Sequence, residues 1–172
     1  MSNSTDKNVV DFYKSWEDDE IKADLDKTRL PLRVVCENIN GDFNKSSCLR
    51  SAEGFNLESF ALAGGKRMDM RGAVGAQHRI TVEKFDTVSE ALNPLYTTVA
   101  LDNVDGAVDI RTFKFPKYCN LLIGEEQRGL SEDALDEADH IVYIPMRGAV
   151  RSFNVASAAT VAMYEYTRQH GG

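Results

Sequence analysis

The chain has 172 residues, which is enough for one domain of ordinary size with its own hydrophobic core. Hydrophobic residues make up 42% of it, and we expect no membrane-spanning segment, because no apolar stretch reaches the necessary length. The net charge of −7 counts against an unaided nucleic-acid binder. The charge is uneven, however, because residues 45–79 are rich in lysine and arginine and poor in carboxylates.

The first residues lack an apolar run behind a basic start, so the sequence predicts no secretory signal and a cytoplasmic location. Cys36, Cys48 and Cys119 are too few and too scattered for a disulfide framework. Together with the three histidines they show no metal-ligand spacing, and we predict no metal site.

Residues 9–28 place Val9, Phe12, Trp16 and Ile21 at helical spacing among charged residues, which indicates an amphipathic or partly frayed helix that ends before Pro31. Its acidic middle argues against an RNA contact. We therefore divide the chain into an acidic helical extension, residues 1–30, and a main domain, residues 31–172.

Beyond Pro31, short apolar runs alternate with helical patterns. Runs such as LRVVC, YTTVAL and CNLLIG are typical of strands buried on both faces, so the sequence predicts an α/β fold with a mostly parallel sheet flanked by helices. Residues 64–78 form a glycine-containing basic stretch without clear periodicity, which is either a functional loop or a plain connection.

Three segments combine a strand, a turn and a helix start, the arrangement that binds ligands in open α/β sheets. In the first, Asn44 stands where a helix would begin and could simply cap it, while Arg50 alone would be a surface cation. In the second, Gly124, Glu126 and Gly129 follow the apolar run CNLLI, although turn glycines explain this string without a ligand.

The third segment runs from Ile144 into a helix rich in alanine and serine. Its loop carries Arg147 and Arg151, and either Ser152 or Asn154 could be the N-cap of the helix. Small residues along this helix indicate close packing against another element or another chain.

Taken together, in this order and at these spacings, the three segments resemble the motifs of the SpoU/TrmH family of SPOUT RNA methyltransferases. The resemblance spans most of residues 32–169. It implies an α/β fold whose C-terminal part forms a deep trefoil knot (the SPOUT fold), a homodimer, and S-adenosylmethionine held in the knot.

Carried over residue by residue, the resemblance implies two overlapping sets. The cofactor-binding set is Ala100, Leu101, Gly124, Ile144, Met146, Ser152, Phe153 and Asn154, acting mainly through backbone groups. The catalytic set is Asn44, Arg50, Glu126, Ser152 and Asn154. The family assigns hydroxyl activation to the residue at Arg50, but a guanidinium stays protonated, so stabilising a developing alkoxide is the easier role.

Two positions depart from the family pattern. Phe153 stands where leucine is usual, and Lys45 follows Asn44 where an apolar residue is common. We expect Phe153 to narrow the adenine slot, while the polar groups of the catalytic set are all present.

The function that this resemblance implies is 2′-O-methylation of a ribose in RNA, with tRNA as the first choice of substrate and rRNA as the next. The residues expected to contact RNA are Lys66, Arg67, Arg71, Arg79, Arg147 and Arg151. One alternative is a non-catalytic knotted dimer that binds RNA or a protein partner. Another, a flavodoxin-like nucleotide-binding protein, lacks a phosphate-cradling glycine string after its first strand.

Overall fold

The computed structural model describes residues 7–37, 42–64, 69–125 and 128–172. Its strands are β1 (Leu30–Glu37), β2 (Leu57–Ala63), β3 (Thr81–Phe85), β4 (Thr97–Leu101), β5 (Val108–Asp109), β6 (Cys119–Ile123) and β7 (His140–Tyr143). Its helices are α1 (Asp18–Leu25), α2 (Asp42–Gly54), α3 (Ala76–Arg79), α4 (Val88–Ala91), α5 (Glu132–Asp136) and α6 (Val155–His170).

The seven strands form one sheet in the order β3-β2-β1-β6-β4-β7-β5, and each neighbouring pair is parallel. The predicted mostly parallel α/β sheet is confirmed. The runs LRVVC, YTTVAL and CNLLIG supply three adjacent central strands, β1, β4 and β6, which explains their continuous apolar character.

Each face of the sheet has its own core. Alternate residues of a strand point to opposite faces, so Val34 and Leu121 join the larger cluster, whereas Val35 and Leu122 join the smaller one. Helices α2 and α6 supply buried residues to the larger cluster, while α4 and α5 supply Ala91 and Ala134 to the smaller one. Helices therefore cover both faces, as the continuous apolar strands require.

Helix α6 begins at the second of the two candidate caps. Asn154 is its N-cap, and its side chain accepts hydrogen bonds from the backbone of Ala156 and Ser157. Ala159 and Ala162 are fully buried, so the small-residue face is used for close packing, as the sequence predicts. Helix α6 packs on α2, where the hydroxyls of Ser51 and Thr160 lie 2.8 Å apart.

The N-terminal segment differs from its predicted single helix. A 3-10 turn at Asp11–Tyr13 is followed by a separate helix α1, because Glu17 and Glu20 form a capping box that starts a new helix at Asp18. The apolar side chain that this segment buries is Ile21, while Phe12 remains exposed.

Candidate functional site

The site lies at the carboxyl edge of the sheet. Register pairs Cys36 with Ile123, Ile123 with Leu101, and Leu101 with Val142, so β1, β6, β4 and β7 all end at the same level. The three motif segments follow directly from three of these strands. A parallel sheet therefore brings together residues that lie far apart in the chain.

An aspartate shapes the turn after β6. The carboxylate of Asp102, at the end of β4, accepts a hydrogen bond of 2.8 Å from the backbone N–H of Leu130. Glu125 and Gly129 pair through two backbone hydrogen bonds, which closes the turn. Asp102 thus holds the glycine turn against the end of the neighbouring strand.

Both glycines of this turn are required by close approach. A Cβ on Gly124 would lie 2.4 Å from the carbonyl oxygen of Gly129. Gly129 has a φ of +69°, and a Cβ there would lie 2.6 Å from an Asp102 carboxylate oxygen. Both glycines are therefore required by the close packing of this turn at the carboxyl edge of the sheet.

A second acidic residue joins β1 to α5. Glu37 is buried, and its carboxylate accepts hydrogen bonds from the backbone N–H and the hydroxyl of Ser131, at 2.9 and 2.6 Å. Ser131 in turn caps α5 by accepting from Ala134. The sequence motifs give no role to Glu37 or Asp102. Their signal was an acid at or just after the end of a central strand.

The first and third motifs meet through their asparagines. The side-chain amide of Asn154 donates to the side-chain oxygen of Asn44 over 3.0 Å. Asn44 lies inside the first turn of α2 and is not its N-cap, so the capping interpretation is wrong. Arg50 is exposed on the same helix, six residues later, which is about 9 Å further along its axis.

The loop between β7 and α6 offers an apolar, partly open surface. Ile144 and Met146 are half-buried and Phe153 is 44% exposed, while Ser152 is exposed. Ala100 is fully buried, so it can reach a ligand only through its backbone, and Leu101 is half-buried. This apolar surface follows β7, which ends at the same edge of the sheet as the Gly124 turn, and an apolar surface there suits an adenine.

The basic residues expected to contact RNA differ in their exposure. Arg147 and Arg151 are exposed on the loop before α6, and Arg71 is exposed with its side chain paired to Asp69. Lys66 and Arg67, like the catalytic candidate Glu126, lie outside the described residues.

The assignment of Arg79 to RNA is wrong. Its side chain is 4% exposed and forms ion pairs with Asp18 of α1 and Glu53 of α2. Its backbone carbonyl accepts from Arg29. Arg79 is therefore a structural residue that joins the N-terminal segment to the main domain.

Burial raises the pKa of the Cys36 thiol well above its usual value, and a hydrogen bond to Cys48 is the next cause. Both cysteines are in the larger core cluster.

In the part of the chain that the structure describes, His, Cys, Asp and Glu form no group of three or more that could hold a metal ion. No helix among the described residues is long and apolar enough to cross a membrane.

Comparison with known proteins identifies the family. Residues 31–164 match the model of the SpoU rRNA Methylase family, and the chain belongs to this family. It is 32% identical over 149 residues to the tRNA (guanosine(18)-2′-O)-methyltransferase of Escherichia coli K12, an alignment that covers 82% of this chain and 65% of that protein. The chain thus spans just under two thirds of that relative.

Two solved structures share the fold. The A. aeolicus TrmH/SpoU tRNA modifying enzyme superposes with a TM-score of 0.80 at 25% identity, covering 90% of this chain and 82% of that one. The SpoU methyltransferase AviRb from Streptomyces viridochromogenes, in complex with AdoMet, gives 0.76 at 27% identity, covering 87% and 65%.

Proposed function

We propose that this protein is an S-adenosylmethionine-dependent methyltransferase that modifies a ribose 2′-hydroxyl in tRNA. The observation that carries the proposal is the hydrogen bond between Asn44 and Asn154, because it joins the first motif to the cofactor motif at the carboxyl edge. The names of the E. coli and A. aeolicus relatives favour tRNA over rRNA.

The residues around the turn would hold the cofactor mainly through backbone groups. Gly124 and the loop from Ile144 to Met146 would surround the adenine and ribose, and Phe153 would close the apolar slot from its exposed position. The cofactor supplies a methyl group on a sulfonium, which is the electrophile of the reaction.

The polar residues would align the acceptor and manage its charge. Asn44 and Asn154 hold each other's amides in place and so present fixed hydrogen-bonding groups to the ribose. Arg50 would stabilise the negative charge that develops on the 2′-oxygen, while a phosphate or water takes the proton. Ser152 and Glu126 belong to the same proposed set.

We further propose that the functional unit is a homodimer with the knotted topology that its family resemblance implies. Helix α6 exposes Val161 at 44% and Tyr164 at 57%, and α2 exposes Phe43 at 78%. Large apolar side chains exposed on two packed helices favour a protein partner, and a second copy would cover them. Light scattering coupled to size exclusion tests this assembly.

Residues 1–30 would act as an acidic extension fastened to the domain of residues 31–172 by Ile21, Arg29 and the Asp18–Arg79 ion pair. We expect the protein to act in the cytoplasm, where its proposed substrate is found.

Two measurements test the activity. Titration calorimetry should detect binding of S-adenosylmethionine and of its demethylated product; absence of heat with both at high concentration would overturn the proposal. Incubation with unmodified tRNA and, separately, rRNA, followed by nucleoside mass spectrometry, should give a 2′-O-methylated nucleoside from tRNA.

The proposed role of Arg50 has its own test. Arg50→Ala should lower the methylation rate at least about 100-fold, the typical loss of one oxyanion donor, while cofactor affinity stays within about twofold of wild type. Full activity in Arg50→Ala would remove Arg50 from the mechanism and leave the rest of the proposal standing. Arg168→Ala is a suitable control, because Arg168 is an exposed arginine in the last turn of α6, at the end opposite to Asn154.

A further inference from the structure

Lys45 is a buried lysine immediately after Asn44 on helix α2. Its side chain is only 7% exposed, and its ammonium lies 3.9 Å from a carboxylate oxygen of Asp42, which is too far for a hydrogen bond. The family pattern commonly has an apolar residue at this position. Packing alone therefore does not require a lysine here.

Keeping an ammonium in this position is unfavourable by itself. A buried charge is costly unless it is paired and hydrogen-bonded, and an unbranched apolar side chain such as methionine would fill the same space without that cost. A buried ammonium whose carboxylate partner is 3.9 Å away has a physical reason if a bound anion supplies the missing hydrogen bonds.

The surroundings of Lys45 favour an anion. In a helix, long side chains run back toward the N-terminus, and the 3.9 Å approach to Asp42 puts the ammonium at the first turn of α2. This 13-residue helix directs the positive end of its dipole toward the same place.

A second cation stands nearby. Asp42 acts electrostatically on Arg71 as well as on Lys45, although the main partner of Arg71 is Asp69. The segment that carries Arg71 is fixed to α2, because the hydroxyl of Ser46 donates to the backbone carbonyl of Asp69 over 3.0 Å. The backbone that carries Arg71 is therefore anchored to α2, while the Arg71 side chain itself is 91% exposed.

We propose that Lys45 binds a phosphodiester of the RNA, next to the ribose that Asn44 and Asn154 receive. This inference rests on the proposed function and names the group that anchors its substrate. Arg71 assists from the surface, and Asp42 gives up its weak pairing with Lys45 when the phosphate arrives. A phosphate contact beside the proposed active residues would give this chain of net charge −7 a local cation for RNA.

The test is RNA binding as a function of salt, which requires no turnover. Unmodified tRNA is titrated with wild type, Lys45→Met and the control Lys27→Met, which removes the same charge from an exposed site beyond α1. For Lys45→Met we expect about tenfold weaker binding, equivalent to one hydrogen bond to a charged group. The slope of log K against log salt should fall by about one.

Two further readouts separate this role from a structural one. The affinity of Lys45→Met for S-adenosylmethionine should equal that of wild type, and its melting temperature should be unchanged or higher, because a buried charge has been removed. Asp42→Asn should bind tRNA more tightly than wild type, because it removes the carboxylate that competes with the phosphate for Lys45. Its melting temperature should fall, because the buried ammonium loses this partner.

Wild-type affinity and slope in Lys45→Met would overturn the inference. Weaker cofactor binding with unchanged RNA binding would also overturn it, because Lys45 would then serve the cofactor carboxylate. If wild type itself bound neither tRNA nor S-adenosylmethionine, the proposed function would fail first, and the two failures are therefore distinguishable.

Discussion

Asn154 donates a hydrogen bond of 3.0 Å to Asn44 across 110 residues of chain, while its own side-chain oxygen caps helix α6. One side chain therefore performs two tasks. It fixes the start of the last helix, and it links that start to the helix that carries Arg50.

These two tasks can be separated by substitution. Asn154→Ser keeps a good N-cap but is too short to reach Asn44, so it should leave stability within about 0.5 kcal/mol of wild type and still lower the methylation rate. Asn154→Ala loses both functions and should also lower the free energy of unfolding by about 1 kcal/mol. Urea unfolding and methylation rates measure the two effects, and equal stability of the two variants would contradict the capping role.

The sequence predicts individual strands well, but it predicts contacts between distant residues poorly. The runs that form β1, β4 and β6 are continuous because both faces of each strand are covered, and this is legible in the residues themselves. The contact between Asn44 and Asn154 depends on strand order, which no spacing within the chain determines. Only the family resemblance placed these two residues in one site.

Arg79 illustrates the opposite case. It stands among basic residues in an apparently irregular stretch, and local composition predicts an exposed cation. Its partners Asp18 and Glu53 lie 61 and 26 residues away, so burial of its guanidinium is decided by tertiary structure. The same applies to Asp102, whose role follows from contact with a turn 28 residues later.

Gly129→Ala tests the turn that Asp102 holds. The substitution forces an alanine into a left-handed conformation and into the Asp102 carboxylate, so we expect a loss of about 1–3 kcal/mol in stability. The hydrogen bond from Leu130 to Asp102 should be broken, and affinity for S-adenosylmethionine should fall with it.

Gly54→Ala is the matched control for this experiment. Gly54 ends α2, and a Cβ there meets nothing within 4 Å, so this substitution should be neutral or slightly stabilising. Calorimetric titration with the cofactor compares the two variants. Unchanged affinity in Gly129→Ala would separate the turn from cofactor binding.

Arg79→Met should act on stability rather than on RNA. Removing one partner of a buried ion-pair network leaves Asp18 and Glu53 without their cation and should cost about 3–5 kcal/mol. The salt dependence of tRNA binding by the folded fraction should stay the same. Arg151→Ala is the counterpart, because Arg151 is exposed, and it should reduce the salt slope by about one with little change in melting temperature.

Stability should decline in alkaline solution through identifiable groups. Burial raises the pKa of the Cys119 thiol to about 12, from an ordinary value near 9. Burial, followed by the hydrogen bond to Glu58, raises the pKa of the Tyr96 hydroxyl to about 12, from about 10. In these windows the unfolded chain has already lost protons that the folded chain keeps, so rising pH favours unfolding.

The two groups act over different ranges, which makes the assignment testable. The contribution of Cys119 is complete below about pH 9 and is lost from there toward pH 12, whereas that of Tyr96 begins to be lost only above about pH 10. Cys119→Ala should therefore be somewhat less stable at pH 8, because it leaves a small cavity, but should lose stability less steeply between pH 9 and 10. Tyr96→Phe should match the wild-type slope in that interval and become flatter than wild type above pH 10. Urea unfolding at closely spaced pH values measures both slopes, and a wild-type decline in Cys119→Ala between pH 9 and 10 would refute the role of that thiol.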